Sequence, residues 1–117
     1  MEDSLMKYLL LMYANEAEAA GVNLAEAQQE WVAFLKEAQA SGTLLANNGV
    51  APNTAATTVR IRNGKTLTTD GPFVETKEQL GSIYVIEAKD LNEAIQVAAK
   101  IPSARFGNIE VRPVWGQ

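Results

Sequence analysis

Apolar residues follow two different repeats along this chain. Two short segments, Lys7-Tyr8-Leu9-Leu10-Leu11-Met12-Tyr13 and Ser82-Ile83-Tyr84-Val85-Ile86-Glu87-Ala88, are apolar at both parities. Successive side chains of a strand point to opposite faces, so each segment predicts a strand that needs cover on both. Two longer segments repeat at helical spacing. Leu24, Ala27, Trp31, Phe34, Leu35 and Ala38 fall on one stripe of a helix running to about Ala40. Asn23 caps its start, with Glu26 three residues on, and Ser41-Gly42 stops it. In the second helix Leu91, Ala94, Ile95 and Ala98 form the stripe, Asp90 and Glu93 the capping box, and Pro102 the end.

The remaining segments are shorter. Residues 1–5 read as a tail, and residues 6–117 as one domain. Residues 14–21 are polar and Ala-rich, a loop or a loose helical turn. Residues 43–47 predict a short strand, and residues 48–53, with Gly49 and Pro52, a loop. Residues 109–115 predict the last strand, with Ile109, Val111, Pro113 and Trp115 on one parity and Glu110 and Arg112 on the other.

Residues 57–69 predict a hairpin around Asn63-Gly64. A two-residue type I′ turn is the first candidate. It would set Arg62 against Lys65 and place Leu67 on the opposite face from Val59 and Ile61. A three-residue loop, Arg62-Asn63-Gly64 with Gly64 left-handed, pairs Ile61 with Lys65 and Val59 with Leu67. The apolar residues then share a face, and this loop is the expected one.

The order is strand, helix, strand, hairpin, strand, helix, strand. This predicts an α+β fold: a ferredoxin-like split βαβ sandwich with an inserted β-hairpin, helices on one face of an antiparallel sheet. Two helices cover one face only. The apolar residues of the other face predict a homodimer packed sheet to sheet.

Composition narrows the chemistry. The 117 residues can bury roughly two-thirds of their unfolded surface, enough for one core. With no Cys and no His, acid–base work falls to Asp, Glu, Lys, Arg, Tyr, Ser, Thr or the backbone. Asp and Glu without His argue against a transition-metal site, and neither metal nor cofactor is expected. The net charge of −4 argues against nucleic acid. Residues 8–13 are too short an apolar run to span a bilayer, and the acidic Glu2 and Asp3 do not suit a signal peptide. A cytoplasmic protein without a membrane partner is expected.

One stretch exceeds what a connector needs: Asp70-Gly71-Pro72-Phe73-Val74-Glu75-Thr76-Lys77-Glu78-Gln79-Leu80-Gly81 combines turn formers, charges of both signs and one aromatic. It resembles the signature of the DGPF (DGPFAETKE) branch of the YCII-related proteins. The resemblance extends to residues 7–13 and 57–62, to Ala104-Arg105, and to Glu110-Val111-Arg112-Pro113-Val114. Val74 stands where that family usually has Ala. The resemblance implies a dimeric α/β barrel. The broader family is associated with a His–Asp pair. Lacking His, this chain offers only Asp70 for the acidic member.

Candidate residues carry two readings each. Asp70 is a candidate catalytic base at a strand end, or a turn residue accepting from N–H groups near Phe73. Glu75, Lys77 and Glu78 bind a ligand or form solvated ion pairs. Phe73 lines a pocket or anchors the loop to the sheet. Arg105 suits a ligand carboxylate or phosphate, or pairs with Asp70 or Glu75. Glu110 and Arg112, two apart on a strand, share a face and need each other or a ligand if buried. Tyr13 offers a phenol to a ligand, or packs in core or interface. The implied function is small-molecule binding in the cleft of a dimeric barrel, with acid–base chemistry of lyase or isomerase type. The alternative is a non-catalytic ligand-binding or regulatory module.

Overall fold

Two strands apolar on both faces form the centre of the sheet in the computed structural model, which describes residues 4–117. They are β1 (Met6–Ala14) and β5 (Gln79–Ala88). Between them lie α1 (Glu16–Ala19), α2 (Leu24–Ala40), β2 (Leu44–Gly49), β3 (Thr57–Arg62) and β4 (Lys65–Asp70); α3 (Leu91–Ala99) and β6 (Asn108–Pro113) follow. The main sheet has the order β2-β5-β1-β6, every neighbour antiparallel, and it stays open at both edges. The first three residues of the expected tail lie outside the described residues; Ser4 and Leu5 are exposed and precede β1.

One parity of the central strands is covered. Tyr8, Leu10, Tyr84, Ile86 and Ala88 form a buried cluster with Phe34 and Ala38 of α2 and Ala94 and Ala98 of α3. The other parity, Leu9, Leu11, Ile83 and Val85, is only half-buried by its strand neighbours, since both long helices pack on the first face. Leu10 and Ile86 therefore belong to the core, and the uncovered patch is the alternate set.

The helix ends follow their caps. Asn23 Oδ1 accepts from Glu26 N at 3.1 Å, and Asp90 Oδ1 from Glu93 N at 2.9 Å. Asn15 caps the short α1 by accepting from Glu18 N at 2.7 Å. The expected stripes need correction: Leu24 is 78% exposed, and Leu91 and Ile95 are about half exposed. The helices bring Ala38, Ala94 and Ala98 to the sheet, where Tyr8, Tyr84 and Ile86 supply the bulk, so small residues make the closest approach. The last strand is shorter than expected. It stops at Pro113, and Trp115 is fully exposed.

The hairpin register also differs from expectation. Asn63 and Gly64 both have positive φ, 51° and 73°, and Arg62 lies opposite Lys65, Val59 opposite Thr68, and Ile61 opposite Thr66. This is the two-residue turn, not the three-residue loop. The argument for the loop assumed a buried face. β3 and β4 form a separate two-stranded sheet, with Val59, Ile61 and Leu67 all exposed. With no face to bury, turn chemistry alone sets the register, and Asn-Gly suits type I′. Among the described residues no helix is long and apolar enough to cross a membrane.

Candidate functional site

The loop after β4 is held at both ends by hydrogen bonds that its sequence does not announce. Gly71 N donates to Ala56 O at 2.7 Å, and Thr58 Oγ1 donates to Gly71 O at 2.9 Å. Gln79 Oε1 accepts from Asn53 N at 3.1 Å. So anchored, the loop divides two open hollows, and Thr76 lines both. The first, about 410 Å³, is also lined by Asn53, Thr54, Asp70, Gly71, Pro72, Glu75 and Gln79. The second, about 440 Å³, is lined by Tyr13, Glu78, Asn108, Ile109 and Glu110.

The candidate residues divide between these places. Asp70 and Glu75 line the first hollow, Tyr13 and Glu110 the second. Among the described residues the Asp70 carboxylate accepts no hydrogen bond, so the expected Asx-type turn does not form; Thr58 and Ala56 hold that turn instead. Phe73 is 75% exposed and does not anchor the loop to the sheet. Lys77 is exposed and lines neither hollow. Arg105 pairs with Glu30 of α2, not with Asp70 or Glu75. Arg112 pairs with Glu110 along β6, as same-face neighbours can. Both of these pairs lie at the surface, where such contacts contribute little stability.

With its carboxylate unbonded, Asp70→Asn is expected to change stability by less than about 0.5 kcal/mol. A thermal melt checks this. A loss on the order of 1 kcal/mol, the scale of one hydrogen bond, would show that the carboxylate holds the turn after all.

Glu78 stands apart from the other charges of the loop. Its Oε2 is shielded from water, and Oε1 faces Asn108 Nδ2 at 3.5 Å. The Glu18 carboxyl of α1 lies beside it. A hydrogen bond to Glu18 is the main cause that holds the Glu78 carboxyl above its ordinary value of 4.5, followed by loss of water and by the nearness of Glu18's charge. A carboxyl so placed keeps its proton to higher pH than an isolated glutamate does. In the sequence Glu78 reads as one charge in an alternating run and Glu18 as part of a polar, Ala-rich segment, so no local pattern joins them. Among the described residues no group of three or more acidic side chains is placed to hold a metal ion.

Comparison with known proteins agrees with the sequence pattern. The family model of the YCII-related domain matches residues 6–116. An uncharacterized protein of Rhizobium meliloti (strain 1021) is 34% identical over 114 residues, covering 93% of this chain and 92% of its own length.

Proposed function

This chain belongs to the YCII-related domain family, and from that premise we propose that it binds a small molecule beside Glu78, with Glu78 as the group that takes up or releases a proton. The observation that carries this reading is the Glu78 carboxyl itself, with one oxygen shielded from water, the other near Asn108, the Glu18 carboxyl beside it, and a raised affinity for its proton. Tyr13, Thr76 and Asn108 add a phenol, a hydroxyl and a carboxamide that can orient a polar substrate in the same hollow. Asp70 moves from catalytic candidate to surface group.

The rest of the proposal concerns assembly. The strand order and the separate hairpin suit a ferredoxin-like plan of the DGPF branch. Two such sheets packed by their open faces make a dimeric α/β barrel in the cytoplasm. The Leu9, Leu11, Ile83 and Val85 patch supports that packing, because it is apolar and uncovered. Closing a partner over the sheet would also exclude water from the nearby hollow, strengthening its electrostatics. The second reading, a non-catalytic binding module, draws on the openness of both hollows in the single chain.

The two readings separate in one experiment. Native mass spectrometry identifies any ligand that co-purifies, and turnover and binding are then measured for Glu78→Gln and Asp70→Asn. Glu78→Gln is expected to abolish turnover, with Asp70→Asn close to wild type. Retained turnover in Glu78→Gln would overturn the assignment. Tight binding with no turnover in either protein would establish the module.

Glu78 also predicts a pH dependence. It holds its proton more tightly folded than unfolded, so between 4.5 and its raised value the folded chain carries more protons. Stability therefore falls as pH rises through that window. The ionisable groups around it are Glu18, Tyr13 and Glu110, the last paired with Arg112. Glu78→Gln removes the effect, so it should melt higher than wild type near pH 8 and converge with it near about pH 4. An equal difference at both pH values would mean that Glu78 titrates as an ordinary surface carboxylate.

A further inference from the structure

The helix-covered side of the sheet carries a separate cleft of about 420 Å³, reaching from α2 to the turn at Pro102–Arg105. Leu24, Ala27, Trp31 and Phe106 are among its walls, Ser82 and Tyr84 are also part of its lining, and none of its lining residues is charged. Ser82 is 6% exposed and Tyr84 1%. Phe34 meets the Tyr84 ring edge-on, with centroids 6.0 Å apart at 89°, which fixes where the phenol points.

The hydrogen-bond count at these buried groups does not close. Trp31 Nε1 donates to the Tyr84 phenol oxygen at 2.9 Å, and Ser82 Oγ donates to the same oxygen at 3.2 Å. Indole is a donor only, and each hydroxyl has one proton. The Tyr84 O–H is then left without an acceptor among the described residues. Reversing the Ser82–Tyr84 bond hands the spare proton to Ser82 and leaves the count unchanged. A buried donor without a partner is uncommon, because it forfeits the hydrogen bond it made to water.

We propose that this cleft binds a neutral, largely apolar small molecule whose carbonyl oxygen accepts that spare proton. The lining is apolar with a few convergent polar groups, the usual form of a small-molecule site. A charged ligand would find no counter-charge there. The Glu78 hollow shares no lining residue with this cleft, so the inference stands on separate observations.

The test uses Trp115→Phe, which removes the fully exposed tryptophan and leaves Trp31 as the only one. The full chain is titrated with a neutral fluorescent ketone, 6-propionyl-2-(dimethylamino)naphthalene, and with its propyl analogue, which lacks the carbonyl. The ketone should quench Trp31 saturably at one molecule per chain. The analogue should bind about tenfold more weakly, the scale of one lost hydrogen bond. Ala27→Leu narrows the cleft without touching the hydrogen bonds and should weaken the ketone by about tenfold or more. Glu78→Gln should bind the ketone like its parent. Absent saturation, equal binding of ketone and analogue, or unchanged binding in Ala27→Leu would overturn the proposal.

Discussion

Leu11→Asp should turn the proposed homodimer into a folded monomer of 12.7 kDa. Leu11 lies opposite Ile83 of β5 on one side and Glu110 of β6 on the other, on the face that no helix covers. In a two-fold dimer each substitution counts twice, because the same patch meets itself. Leu11 is already half-buried in the single chain, so a partner covers about half a Leu side chain, about 0.7–1.5 kcal/mol, and losing two weakens association by roughly one to two orders of magnitude, before any cost of desolvating the carboxylates. Val85→Asp should act in the same way. Leu10→Asp makes the contrast: Leu10 is 0% exposed beneath the helices, so a charge there should unfold the chain. Light scattering and circular dichroism distinguish the outcomes. Wild-type protein that is monomeric at micromolar concentration would end the dimer reading, and unfolded Leu11→Asp would mean that Leu11 belongs to the core.

The second large effect is expected at Gly107. A Cβ at that position would stand 2.7 Å from Tyr13 O, 3.1 Å from Ala14 Cβ and 3.2 Å from Ser103 O. Two of the three are backbone oxygens, which cannot rotate aside, and Gly107 N is already tied to Ser103 O at 2.7 Å. Gly107→Ala must therefore push β6 away from the end of β1 or open the preceding turn, at a cost of about 1–3 kcal/mol. For a domain of this size that lowers the melting temperature by roughly 4 to 20 °C. Tyr13 and Asn108 lie beside the strain and line the Glu78 hollow, so ligand binding should weaken as well. A melting temperature within about 1 °C of wild type would show that the backbone absorbs the methyl group without strain.

These expectations draw unequally on sequence and structure. The positions of the long elements were legible because caps and periodicity are local. Asn23, Asp90 and the apolar repeats act within a turn or two of chain, and the structure places α2, α3, β1 and β5 close to where they predict. Which stripe residues are buried was less legible. Leu24, Leu91 and Ile95 fit the helical period, but their exposure depends on the part of each helix that meets the sheet. The candidate residues divided in the same way. Asp70 and Glu75 line one hollow and Tyr13 and Glu110 another, close to the loop and strands that suggested them, whereas Arg105 pairs with Glu30, a residue distant in sequence.

By itself the sequence determined the element order, the anchors of the helices, and that the two central strands are apolar on both faces. Those follow from backbone periodicity and cap chemistry, which no distant residue can change. Only the tertiary structure decided the rest: that Leu10 and Ile86 take the helix side and Leu11 and Val85 the open side, that the hairpin has no face to bury, and that Glu18 meets Glu78. Each depends on contacts between segments far apart in the chain. Local chemistry leaves such contacts open, and packing closes them.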